Sequence, residues 1–551
     1  MTSAGPIAPL ARALGEEAQA VAGVPVAVEL VPPAQAEHGD LATPVALSLA
    51  RHAKRAPRDI AEELRGRLLA RGDAHVVESA EVAGPGFLNL VLSPAWFADA
   101  AAAIAADEGF GGGTAAVPER VLLEFVSANP TGRLHVGHAR QAAYGDSLAR
   151  ILRFAGHAVE REYYVNDYGR QMELFGLSVA ARYGQLCGLA TQVPEDGYRG
   201  DDVASVAERL HAELGDSLRD RVDPPTPEAL EVFRTRGCDL MMGEIRDDLA
   251  AFRVGFDRYF SETSLHDSGA VVAGVAALER AGDAYREDDA LWFRATRYGD
   301  EKDRVLVRSD GLTTYLASDV AYHLDKAGRG DHRLIDVLGA DHHGYVARLK
   351  AVLAAGGYDP ERLEVAILQL VSLVERGEAK RMSKRAGTAV TLRDLVGDIG
   401  VDAARFFLVE RSHETAFDLD LDLAREQSQE NPVYYVQYAH ARIAGILAQV
   451  GDEPVDRPGP PAALDPSERA VVLRLCGWPD AVRDAADRRA PHRVVAYLKD
   501  LSADFHTFYH RCRVAGEEPA VQAFRLDVCR AVAAVVRRGL GLLGVDAPDR
   551  M

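Results

Sequence analysis

The sequence has few cysteines, no long apolar run and no surplus of positive charge. Its five cysteines, Cys187, Cys238, Cys476, Cys512 and Cys529, are scattered and odd in number. None forms a Cys-x-x-Cys pair, so the spacing indicates neither a disulfide framework nor a zinc site, and a reducing cytosol fits best. No uninterrupted apolar stretch approaches the roughly 18 residues of a membrane span. The opening MTSAGPIAPLARALGEEAQA lacks a basic start followed by an apolar core, so no secretory signal is read there and a cytoplasmic location is expected. The formal net charge is −20. Nucleic-acid-binding domains are usually basic, so composition alone does not suggest one, and a local basic surface would be required. What the chain does have is apolar material: 48% of its 551 residues are hydrophobic. That is enough for full cores and, at ordinary domain size, for roughly three or four domains.

The richest stretch is 121–138, VLLEFVSANPTGRLHVGH. Its apolar, β-branched start reads as a buried strand, and the turn residues from Ser127 to Gly132 end it. Pro130 disfavours helix at Asn129, so the chain leaves the strand extended. From Val136 the periodicity becomes helical, which places His135 and His138 on one face where a helix begins. A helix start offers free N–H groups and a positive dipole end suited to phosphate. Two imidazoles there can donate to charge developing on phosphorus. Gly137 between them leaves room for a flat ring against the backbone. A lone His-x-Gly-His is a weak signal, and its bland reading is a surface helix start.

A second stretch, Arg381-Met382-Ser383-Lys384-Arg385, strengthens it. An early His-x-Gly-His and a late Met-Ser-Lys around an α/β region resemble the motif pair of class I aminoacyl-tRNA synthetases. The words EFVSANPTGRLHVGHAR, EYYVNDYGRQ, GADHHGYVARLKA, RMSKRAGTAVTLRDL, NPVYYVQYAHAR and a terminal LLGVDAPDRM narrow this further. Together they resemble arginyl-tRNA synthetases of the bacterial type, over nearly the whole chain.

Taken in order, 1–115 reads as an α+β unit. It has a helix over 9–22, a strand-like 24–31, an apolar helix through Leu47 and Leu49, and a strand over 87–92. The basic cluster Arg51, His52, Lys54, Arg55 and Arg58 follows the second helix; spacing alone makes it a solvated helix end. The resemblance makes this unit tRNA-contacting, with Arg51, Lys54 and Arg55 as candidates. After a Gly-rich link, 116–370 alternates strands and helices as a doubly wound, Rossmann-like sheet does, with a largely helical insertion over about 181–300. Its second half is expected to supply strands over 290–295, 304–308 and 334–338, with a hairpin turn at Asp310-Gly311. The strand ends at Ser127, Asn166 and Gly339 point at one crevice. Residues 371–430 read as a connecting subdomain carrying the Met-Ser-Lys loop, and 431–551 as an all-helical bundle. The resemblance makes that bundle anticodon-binding. Its aromatics read as core more readily than as base-stacking platforms.

The resemblance also implies the chemistry: arginine's carboxylate attacks the α-phosphorus of ATP, and the arginyl group then passes to tRNA. The nucleophile is already ionised, so alignment and charge stabilisation are required rather than a general base. His135 and His138 would donate to phosphoryl oxygens, with Thr131 and Gly137 beside the triphosphate. Lys384 would hold the pyrophosphate as a point charge, supported by Met382 and Ser383. Arg381 and Arg385 depart from the family's Lys-Met-Ser-Lys-Ser pattern, which bears on loop dynamics more than on chemistry. Gly339 and Asp341 would face the nucleotide sugar and base. Mg2+ is expected with ATP, without a dedicated protein site; adjacent Asp341, His342 and His343 do not make a metal site.

For arginine, Tyr315 and Asp319 lie four apart on one helical face. The resemblance assigns them to the guanidinium and Asn129 to the α-amino end, with Glu124, Asn166 and Gln171 as further candidates. Asp319 alone could equally be a helix cap. A readout this polar discriminates lysine and citrulline without an editing site. The family usually needs bound tRNA before activation and is monomeric by default. Cysteinyl-tRNA synthetase is the nearest lookalike, but these cysteines are wrongly spaced for its zinc. A non-catalytic paralogue would be free to lose His135, His138 or Lys384, and all are present.

Overall fold

Five short segments build the sheet that positions the site: Arg120–Glu124, Ala158–Val165, Arg258–Ser261, His332–Gly339 and Leu363–Leu368, numbered β1 to β5. The computed structural model describes residues 5–33, 35–72, 75–330, 332–379, 390–450 and 459–551. All neighbouring pairs are parallel, in the order β5-β4-β1-β2-β3. The chain therefore starts in the middle, builds outward to β3, then returns to the other side of β1. That reversal creates a crevice beyond the carboxyl ends of β1 and β4. Register sets Glu124 level with Glu162 and Asp336. These are charged residues in a buried layer.

The helix Tyr315–Gly328 covers this layer. Tyr322 donates to Glu124 (2.9 Å) and Glu162 (2.7 Å), Lys326 to Asp336 (2.7 Å), and His323 lies 3.0 Å from Asp336. Each carboxylate thus has a partner, which a buried charge requires. On the other face, the helix Val136–Ala155 buries Leu148, Ile151 and Leu152. Gly145 brings that helix close: a Cβ there would meet the Phe125 ring at 2.3 Å.

The chain forms two compact units, 117–425 without 154–156, and 1–116 with 154–156 and 426–551. In the second unit the N-terminal stretch keeps its own α+β fold, a three-stranded antiparallel sheet with helices. It packs with the helices from Pro432–Val450 to Pro519–Leu542. Arg469 reaches Asp40 (2.7 Å), and the Trp478 indole donates to the Phe110 carbonyl (3.1 Å). Tyr497 and Phe505 are buried in this helical core, whereas Tyr435 and Tyr438 are half-buried. No helix among the described residues is long and apolar enough to cross a membrane.

Several elements differ from the expectations. Residues 24–31 form no strand; only Val31 bridges to Ala42. Pro25, Pro32 and Pro33 have no N–H to give a ladder. The segments Ala290–Phe293 and Arg304–Val307 do not join the parallel sheet but form a separate antiparallel one with Ala284–Glu287. Its first turn uses Asp288 and Asp289, both at positive φ (49° and 59°), as tight hairpins require. At Asp310-Gly311 the chain does turn, with Arg308 N–H donating to Leu312 O (2.9 Å), but the returning arm is a single bridge, Val307 to Thr313. The helical insertion ends at Ala251, where β3 returns to the sheet.

Candidate active site

Where β1 ends, the backbone is strained. Val126 and Ser127 both have positive φ, 68° and 38°, a conformation costing about 1–3 kcal/mol per residue and concentrated at functional sites. The surroundings hold it. Ser127 Oγ donates to Glu124 (2.9 Å) and accepts from Tyr164 N–H (3.0 Å), and Tyr163 donates to the Ala128 carbonyl (2.7 Å). Beyond the strand, Asn129 donates to Gln171 (2.7 Å), Thr131 N–H donates to the Asn129 carbonyl (2.8 Å), and Arg133 N–H donates to Asp202 (3.1 Å). The loop is thus preset before any ligand arrives.

The rings of His135 and His138 stack, centroids 3.8 Å apart. His135 Nδ1 accepts from Gly137 N–H (3.1 Å), and His138 Nδ1 accepts from His135 N–H (3.3 Å). With both Nδ1 atoms accepting, the ring protons sit on Nε2, the donor tautomer that phosphoryl oxygens need. The flat ring against Gly137 is His135 itself: a Cβ at Gly137 would lie 2.9 Å from its Cε1.

Met382, Ser383 and Lys384, with Arg381 and Arg385, lie outside the described residues. Their described flank is tied to the histidines. Leu392 N–H donates to the Leu134 carbonyl (2.8 Å), Val136 N–H to the Val390 carbonyl (3.3 Å), and His135 bridges Thr391. Thr391 and Asp394 then close a capping box that starts the helix Leu392–Glu410. The His-x-Gly-His stretch and the segment 390–392, far apart in sequence, therefore share one backbone junction.

Gly339 ends β4 beside this loop. The Gln141 amide bridges the two, donating to the Val126 carbonyl (3.1 Å) and accepting from Gly339 N–H (3.3 Å). Asp341 is exposed past this point, with His342 3.6 Å away. The strand ends at Ser127, Asn166 and Gly339 belong to the three adjacent strands β1, β2 and β4.

Next to the loop lies a cluster of carboxyls. Asp319, on the covering helix, is pushed up to about 6, first by burial and then by Glu124. Glu262 is pushed up to about 7 by burial, with Asp319 and Asp167 adding to it, while Ser318 and Tyr164 bond it. The Tyr164 hydroxyl is held far above its ordinary range by burial and by Glu262, Asp319 and Glu124. Asp167 accepts from Thr263 N–H (2.8 Å), and the Tyr164 and Tyr322 rings are 4.4 Å apart. The Asn166 side-chain oxygen is buried without a partner. Tyr315, one turn before Asp319, is 59% exposed. Lys326 already pairs with Glu124 (2.5 Å), while the negative groups of Asp319 and Glu262, set among aromatic rings, suit a guanidinium, planar and rich in donors.

Glu262, Asp167 and Tyr164 were not singled out from sequence. A signal existed, because Asp167 and Glu262 each follow the end of a sheet strand. For Glu262 an insertion over 181–300 hides that signal; Asp167 lies before it, at the end of β2.

On the N-terminal stretch, Arg51 and Lys54 are exposed at the end of the helix Val45–Ala53. Arg55 is paired with Glu63 (2.5 Å). Among the bundle aromatics, Tyr438 stacks with Tyr434 (5.9 Å), and Arg442 lies over Tyr438 (4.5 Å) and Tyr509 (4.4 Å). This is a half-exposed aromatic and cationic patch that periodicity alone did not separate from core.

Three family models match the chain. Residues 9–92 match the arginyl tRNA synthetase N terminal domain, 102–443 the catalytic domain of tRNA synthetases class I (R), and 436–551 the DALR anticodon binding domain. The chain is 46% identical to arginine–tRNA ligase of Moorella thermoacetica, covering 94% of this chain and 93% of that one. It is likewise 46% identical to arginine–tRNA ligase of Bacillus subtilis, covering 95% and 94%. Its fold is similar to the solved Thermus thermophilus arginyl-tRNA synthetase, with TM-score 0.74, 25% identity and coverage of 98% and 99%.

Proposed function

The chain belongs to the arginyl-tRNA synthetases, class I ligases that join arginine to tRNA at the expense of ATP, and from that premise we propose how its residues divide the work. Arginine's guanidinium enters the pocket of Asp319, Glu124 and Glu262, with Tyr315 closing over it. Asn129, held by Gln171, meets the α-amino end, and Asn166 offers its buried oxygen nearby. The observation that carries this reading is the crowded carboxyl pair Asp319 and Glu262, both pushed up, with Glu124 linking Asp319 to the loop that it holds through Ser127.

Arginine's carboxylate then faces the α-phosphorus of ATP. His135 and His138 donate from Nε2 to its oxygens, with Thr131 at the triphosphate and Gly339 and Asp341 towards the nucleoside. Lys384, flanked by Met382 and Ser383, draws off the pyrophosphate. Mg2+ travels with the phosphates of ATP. On the tRNA side, Arg51 and Lys54 contact the backbone, with Arg55 a weaker partner because Glu63 already neutralises it. The patch of Tyr434, Tyr438, Arg442 and Tyr509 suits unstacked bases. The enzyme works as a cytoplasmic monomer, with no membrane or DNA partner, and activates arginine only with tRNA bound.

The test is ATP–pyrophosphate exchange with arginine, with and without tRNA for arginine, on wild type and Lys384→Ala. Exchange requiring arginine and tRNA together, and falling by at least about tenfold in the variant, as expected for a lost charge contact to the leaving group, supports the assignment. Full exchange in Lys384→Ala would remove that lysine from the chemistry.

A further inference from the structure

Outside the active site, one further group of side chains converges. Cys187, His211 and Asp216 each bring one ligand atom to within 4.8 Å of the others, and among the described residues they are the one such trio. We propose that they form a binding site for a thiophilic divalent cation of the zinc type, with water completing its shell.

The donor set is a thiolate, an imidazole and a carboxylate, which suits zinc, and three protein ligands with an open position are a known arrangement for that ion. The atoms already stand at ligand spacing: His211 Nε2 lies 3.0 Å from Asp216 Oδ1. Cys187 caps the helix Arg170–Leu186, and Asp216 follows the end of the helix Asp201–Leu214, whose last turn carries His211. Two helix carboxyl ends, each with a partial negative charge, thus meet at one point. The His211 ring is backed by Tyr183, edge-on at 5.4 Å, and Tyr183 is itself bonded to the Gly215 carbonyl. Imidazole orientation by neighbours of this kind is what holds a ligand ready.

His211 and the Cys187 thiol both bond Asp216, which holds its carboxyl below the ordinary range and keeps the three groups together. Cys187 is buried and its thiol is pushed up by burial and by Asp216, while Arg219 is the neighbouring guanidinium that opposes this. Binding replaces the S–H bond by a sulfur–metal bond and releases the proton to water, so affinity rises with pH.

The position gives the site a purpose. The same two helices touch the active-site loop at their other ends, through Gln171 to Asn129 and Asp202 to Arg133. An ion joining their far ends would stiffen the pair that frames that loop.

Metal-free full-length protein titrated with Co2+ tests this. One equivalent should give a sulfur-to-cobalt charge-transfer band together with tetrahedral d–d bands, and one equivalent of Zn2+ should displace it and raise the melting temperature. Cys187→Ser should abolish the charge-transfer band. Asp216→Asn, an exposed change that leaves folding intact, should weaken binding by about tenfold or more. Absence of the band in wild type, or its persistence in Cys187→Ser, would overturn the site, and so would unchanged affinity in Asp216→Asn.

Discussion

Asp319 and Glu262 keep their protons to about pH 6 and 7, against ordinary values of 3.8 and 4.5. The folded protein therefore binds more protons than the unfolded chain between those limits, so the pair's contribution to stability falls as pH rises through that window. Arginine reverses the sign, because its cation favours the ionised pair. The Michaelis constant for arginine should accordingly rise as pH falls through 7 and 6, measured by exchange at saturating ATP and tRNA. Asp319→Asn should cost about 2–5 kcal/mol in arginine's kcat/KM, as truncating one partner of a buried charge pair does. A flat pH profile in wild type would detach these carboxyls from arginine binding. Asp319 itself was legible from its spacing to Tyr315 only as one of two readings, cap or ligand. The helix start removes the cap reading, because Thr314, not Asp319, precedes the helix.

Among elements, the segment after the Met-Ser-Lys loop carries more than a helix start. Thr391 both caps the helix Leu392–Glu410 and bridges His135. Thr391→Ala should lower stability by about 1 kcal/mol, the usual worth of such a cap. It should also slow exchange by more than that loss explains while leaving tRNA affinity unchanged. Denaturant unfolding beside steady-state kinetics would show this, and an unchanged exchange rate would confine Thr391 to capping. The strand β1, its turn and the helix after it were readable because apolar run, turn residues and helical period follow one another in sequence. The strand β3 was not. Arg258–Ser261 is four residues without an apolar run, and pairing with β2 alone makes it a strand.

At the scale of the whole molecule, the net charge of −20 sits beside a tRNA substrate. The exposed Arg51 and Lys54 supply local positive charge where Arg55 is spent on Glu63. Replacing Arg51 and Lys54 together by alanine should raise the KM for tRNA. It should also reduce the salt dependence of tRNA binding by about two charges, whereas Arg55→Ala should change little. Titrations at several salt concentrations would check this; an unaltered slope would move the contact elsewhere.

The sequence by itself determined what contiguous words can encode. It carried the strand–turn–helix around His135 and His138, the helical period of the C-terminal bundle and the family signature. Tertiary structure alone decided which distant words meet. Glu124, Asp167, Glu262 and Asp319 come from four stretches, and Cys187, His211 and Asp216 from two helix ends. Periodicity reports which side of an element is apolar, but parallel register and helix packing set what lies across from it, and those depend on partners many residues away.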